Sequence, residues 1–382
     1  MGLHADSPAP TRIEHVGLTH IELPLKDSYG GLQATGLRLR DTILITLRTE
    51  EGLIGVGECA PPPGPTLKAS IERCWRELST QIPELVIGQP VTTTEACESL
   101  LSRERDLHAS TRAGVETAFW DLVGKLRERS LASLLGADES RLAFGIEPSV
   151  ELGPYPTVVD TIRALEPHLE EGIHTFVIGL EPGLDVELMV SLRNHFPDCQ
   201  FAADAGGRFD RSASSLFHQL DELDLLWIDD PLPSDDVHGL ARLQAELETP
   251  LCVDARHSQV LESGGCRLAR LGVQSAGGLS AARRLHDQCK AHHVSCRVCT
   301  SPESGVGLAQ SIALAALPNC KDPSGLAPLA RWFADLFVKP AIELDDQLNG
   351  RLRVTSRPGL GHAVDWVRVH EHQVKYAEFR KN

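Results

Sequence analysis

The chain has 382 residues, 42% of them hydrophobic and 24% charged. That composition excludes a mainly disordered protein and leaves ample length for a large core. The net charge of −16 argues against nucleic acid and anionic membrane as partners, and no apolar run approaches a membrane span or a signal core. A cytoplasmic protein is the expectation.

Residues 12–60 read as antiparallel strands. THIELPL is followed by DTILITLRTEEGLIGVGE, whose T-E-E-G turn signals a hairpin. Residues 67–86 and 109–128 show apolar residues at helical spacing. Residues 1–140 therefore make an α+β unit.

From 141 to about 340 the rhythm changes. The runs RLAFGIEP, HTFVIGLEP, QFAADAGG, LLWIDDP, PLCVDA, ARLGVQS and VSCRVCTS alternate with helical stretches. Repeated strand–helix units imply α/β architecture, with a parallel sheet closed as a (β/α) barrel. Residues 341–382 read as strands and turns again and are expected to return to the first unit.

Ten cysteines are scattered along the chain, which suits buried thiols rather than disulfides. Cys296 and Cys299 form a C-x-x-C, but in a strand residues three apart point to opposite faces, so we read strand packing rather than a metal pair.

Three acids stand out. Asp204, Asp229 and Asp254 each close an apolar run, 25 residues apart in both intervals. One βα unit per interval puts all three at the C-terminal ends of consecutive strands, the face where barrels build active sites. Three unneutralised carboxylates would repel one another, and a hard cation such as Mg2+ (or Mn2+) would relieve this. The bland alternative is that each acid caps the helix that follows.

Several motifs together resemble the enolase superfamily, in the branch that includes o-succinylbenzoate synthase and N-succinylamino acid racemase. They are GVGEC (55–59), TRAGVETAFWDL (111–122), LEPGLD (180–185), DAGG (204–207), IDDPL (228–232), CVDA (252–255), GGLSAARRLHDQC (277–289), SPESGVGLAQSIALAALPN (301–319) and RPGLG (357–361). The resemblance spans essentially the whole chain. It implies a modified TIM barrel under an α+β cap built from both terminal segments, and Mg2+ held by Asp204, Asp229 and Asp254.

The departures matter as much. The middle ligand, usually Glu, is Asp229; D-E-S reads Asp254, Ala255, Arg256; and Gly206 replaces the amide of D-A-N. The branch's K-x-K positions read Val177, Ile178, Gly179, and its sixth-strand lysine falls near Gly272. No lysine lies between Lys125 and Lys290. Arginine is no substitute base, because it stays protonated.

Three replacements for the lysines are candidates: Glu147 at the expected end of the first strand, His257 in the loop after Asp254, and Glu303 in SPESG. Each has a plain alternative: a loop or capping acid, a solvated loop histidine, and a group that only orients metal-bound water or substrate. Lys26, Tyr29, Arg38, Arg40 and Arg256 are candidates to meet a substrate carboxylate, or equally surface residues.

The expectation is a divergent, divalent-metal-dependent lyase or isomerase acting on a small carboxylate through a non-lysine acid/base, as a homo-oligomer. The alternatives are an inactive relative that serves in binding or scaffolding, and a metal-free enzyme using its carboxylates.

Overall fold

The computed structural model describes residues 11–26, 38–181, 183, 185–326, 332–333 and 336–381. Strands β1 (Ile13–Pro24) and β2 (Leu39–Thr49) pair antiparallel, and β3 (Ile54–Cys59) folds back on β2. The C-terminal strand (Gln373–Arg380) joins the free edge of β1, with His15 opposite Arg380. The C-terminal strand is thereby stitched to β1.

Alternate residues of these strands face one side of the sheet. Val16, Leu18, Ile43 and Ile45 bury there against Phe119 and Leu122 of the helix Ala109–Leu126. Each such side chain contributes about 1.5–3 kcal/mol when fully buried. Helix and sheet approach closely at Gly57, where an added Cβ would lie 2.0 Å from the Gly114 carbonyl oxygen. The stretch 67–86, read as one helix, is two: Leu67–Thr80 and Ile82–Val86. Pro83 sits in the first turn of the second, where its missing N–H costs nothing.

The barrel strands run parallel in chain order: β4 (Val150–Leu152), β5 (Thr175–Gly179), β6 (Gln200–Asp204), β7 (Ile228–Asp229), β8 (Leu251–Asp254), β9 (Leu268–Leu271) and β10 (Ser295–Val298). An irregular eighth segment completes the ring. Ser324 bridges Pro148 beside β4, while Cys320 and Gly325 bridge Cys296 and Cys299 of the β10 region.

Val177, Ala202, Trp227, Cys252 and Leu268 fill the barrel interior. Since side chains alternate, residues two further along point inward as well. Those are Gly179, Asp204, Asp229, Asp254 and Arg270. The register pairs Gly179 with Asp204 and Asp204 with Asp229. It then steps by two, because Asp229 pairs with Cys252. Asp254 next pairs with Arg270, and Arg270 with Arg297. Among the described residues no helix is long and apolar enough to cross a membrane.

Candidate active site

A cavity of about 530 Å³ opens at the C-terminal ends of the barrel strands. Its wall includes Glu151, Val177, Asp204, Arg270, Cys299 and Glu303. No lysine lines it among the described residues. At Gly179, also in the wall, an added Cβ would lie 2.7 Å from the Pro154 nitrogen.

Asp229 is 2% exposed and fully engaged. Its Oδ1 accepts from Arg270 Nη1 at 2.9 Å; its Oδ2 accepts from Trp227 Nε1 at 3.0 Å and Arg297 Nη1 at 3.2 Å. Arg270 also donates to Asp230 at 2.5 Å. Burial works against the Arg270 charge, but Asp229 and Asp230 outweigh it and hold the guanidinium firmly protonated. Burial pushes Asp230 up, with Arg270 opposing.

Arg297 is wholly buried. It donates to Ser149 Oγ at 3.0 Å and to the Pro323 carbonyl at 3.1 Å, and it stacks over Trp227. Asp254 accepts from Arg256 at both oxygens, 2.9 and 2.8 Å. Burial alone would raise Asp254, yet these bonds hold it below its ordinary range. Asp204 keeps the loosest partnership: Oδ1 accepts the Gly206 N–H at 2.8 Å. Burial, then Asp229 and Glu151, push its carboxyl up to about 6.

A divalent ion needs carboxylate oxygens with open lone pairs and little competing positive charge. Asp229 and Asp254 have given their oxygens to three guanidiniums. Like unit charges about 4 Å apart repel by about 4 kcal/mol at an effective dielectric constant of 20. Among the described residues no group of three or more His, Cys, Asp or Glu side chains is placed to hold a metal ion. As arranged, the three aspartates do not fit Mg2+ or Mn2+.

Glu303 sits where the barrel meets the cap. It is 3% exposed, and its Oε2 accepts from Ser311 Oγ at 3.3 Å. Burial first, and the neighbouring Glu58 second, push it up to about 8; Arg40 pulls the other way. Glu58, from β3, accepts the N–H groups of Ser304 (2.9 Å) and Gly307 (2.7 Å), the first turn of the helix Gly305–Ala315. A cap carboxylate thus satisfies orphan donors of a barrel helix and fixes the cap over the mouth. Arg40 reaches in from β2, its Nε donating to the Pro302 carbonyl at 2.6 Å.

The other expected residues fall elsewhere. Glu147 precedes β4 instead of ending it. It accepts from Thr175 at the start of β5 (3.3 Å) and from Arg351 (3.0 Å), at the barrel end opposite the cavity. The acid on the inner wall of the first strand is Glu151, paired in register with Val177. His257 lies between β8 and the helix Ser258–Glu262 and is not part of the cavity wall. Arg256 is spent on Asp254. Lys26 is exposed, gives its backbone N–H to Trp332, and acts electrostatically on Glu171 beyond the helix Val158–Glu170. Tyr29 lies outside the described residues. Cys299 lines the cavity, whereas Cys296 points away from it toward Asn319.

Sequence reasoning missed Arg270 and Arg297. The available signal was an arginine inside each of two otherwise apolar β-runs, ARLGVQS and VSCRVCTS. In a barrel wall such a residue must be paired.

Two family models match the chain: "Enolase C-terminal domain-like" over residues 160–368 and "Mandelate racemase / muconate lactonizing enzyme, N-terminal domain" over residues 20–136. The chain is 31% identical to N-succinylamino acid racemase of Thermus thermophilus, covering 92% of this chain and 94% of that one. It is 29% identical to o-succinylbenzoate synthase of Bacillus subtilis, with the same coverage. A solved enolase-superfamily member from Listeria innocua superposes with a TM-score of 0.84 at 28% identity, covering 97% of this chain and 100% of that one.

Proposed function

The chain belongs to the enolase superfamily, and from that membership we propose that it acts on a small carboxylate in a lyase- or isomerase-type reaction with Glu303, not a lysine, as the proton carrier. The observation that carries this reading is the Glu303 carboxyl, held in the cavity wall and pushed up to about 8. A carboxyl of that kind keeps its proton at neutral pH and delivers it as a general acid; its conjugate base takes a proton back. Arg270, in the same wall, supplies positive charge for an anionic substrate group. The reading uses no ion, because two of the three aspartates that would hold one are taken by arginines.

A two-base racemisation needs a proton carrier on each face of the substrate carbon. The lysines that serve this purpose in the branch are missing from strands β4–β9, so solvent deuterium is not expected to enter N-succinylamino acids. The test is a screen of small mono- and dicarboxylates, succinyl derivatives among them, for turnover by the full chain. For any substrate found, Glu303→Gln is expected to slow the reaction by about 10²–10⁴. An unchanged rate in that variant would remove Glu303 from the chemistry.

A further inference from the structure

Two of the three aspartates expected to hold an ion, Asp229 and Asp254, are paired with guanidiniums, and one guanidinium is placed unlike the others. Arg256 follows Asp254 by two residues and forms a local bidentate pair. Arg297 lies below, sealed against Trp227. Arg270 alone combines a buried ion pair with a place in the cavity wall; its side chain is 23% exposed. It reaches from β9 to two consecutive acids at the end of β7. Asp230 adopts a φ of 40°, a left-handed conformation that a non-glycine residue rarely takes. The strand end turns there, and Asp229 and Asp230 bind the same guanidinium.

We propose that Arg270 stands in for the ion: a fixed, covalently tethered cation that makes the mouth metal-independent and receives a carboxylate of the substrate. A guanidinium has five N–H groups, and the contacts to Asp229 and Asp230 use two of them. A planar fork suits a carboxylate already carrying its charge. It offers one positive charge where a divalent ion offers two, so it favours reactions that build up little extra negative charge on the substrate. Arg270 is a binding residue and not a proton carrier, since it cannot deprotonate. The inference does not depend on Glu303, because ion occupancy and ligand binding are read without turnover.

The test uses the full chain after dialysis against EDTA. Mn2+ is titrated and followed by electron paramagnetic resonance, and succinate is titrated against the melting temperature with and without Mg2+. We expect no stoichiometric Mn2+ binding. Succinate should stabilise the protein to the same extent with or without Mg2+. Arg270→Lys keeps a charge but not the fork, and should weaken succinate binding by about tenfold. Arg270→Met should abolish the succinate stabilisation without bringing in Mn2+, because Arg297 still holds Asp229 and Arg256 still holds Asp254. One equivalent of Mn2+ bound by the unaltered protein and lost in Asp204→Asn would overturn the proposal, whatever the Arg270 variants do. So would succinate stabilisation that appears only with Mg2+, or none at all.

Discussion

The guanidinium carbon of Arg297 lies 4.4 Å from the centroid of the Trp227 ring, deep in the barrel and beneath Asp229. The stack lets a wholly buried cation face an aromatic surface on one side and a carboxylate on another. Arg297→Leu removes one of the two guanidiniums that neutralise Asp229, and leaving a buried charge short of its partner costs about 3 kcal/mol. Urea denaturation should show that loss. Arg297→Lys should not restore it, because an ammonium cannot stack and fork at once. Adding Asp229→Asn to Arg297→Leu should recover part of it.

Glu303 makes a prediction about pH. Its folded-state carboxyl titrates near 8, against an ordinary 4.5, so the folded chain binds the proton more tightly than the unfolded chain does. Stability from this group is therefore present at low pH and falls as pH rises from about 4.5 through 8. The charged groups facing it are Glu58 from β3 and Arg40 from β2, with Ser311 from the following helix. Glu303→Gln should match the unaltered protein's melting temperature near pH 8, once the two curves are aligned at acid pH, only if this carboxyl stays uncharged; we expect it to exceed it. Parallel curves across the range would refute the assignment.

Gly57 reports on the cap. A methyl group there meets the backbone of the helix Ala109–Leu126, which cannot rotate away as a side chain could. Gly57→Ala should cost about 1–3 kcal/mol or more by thermal or urea unfolding. At Gly52, where nothing lies within 4 Å, crowding plays no part, and a loss there would come from its φ of +85° alone.

The barrel was legible because its strands are short apolar runs spaced by whole βα units, and the three aspartates because each closes such a run. The same logic failed for the first strand. Val150–Leu152 spans three residues, too few for a period-2 pattern, so the apolar run before Glu147 reads as the strand and Glu151 in SVELGP gives no signal. Structure puts one at the foot of the barrel and the other on its inner wall. The pairing of Arg270 with Asp229 was not legible either. It follows from the two-residue step between β7 and β8, which no local window reveals. Pro83, by contrast, was a visible signal for the helix break.

Gly179 gives a packing prediction in the site itself. Its neighbour across the wall is the backbone at Gly153 and Pro154, at 2.9 and 2.7 Å from an added Cβ. Gly179→Ala should destabilise the protein by about 1–3 kcal/mol, again read by unfolding. An unaffected melting temperature would mean that the segment after β4 yields easily.

That contact bears on whether the wall of this barrel has room for an amine. Were it a matter of side chains alone, the single change Gly179→Lys would place an amine on β5. At Gly179 the main chain fills the room that the stem of such a residue would need, so placing one there must first move the loop after β4, and the limit is set by architecture as well as by composition.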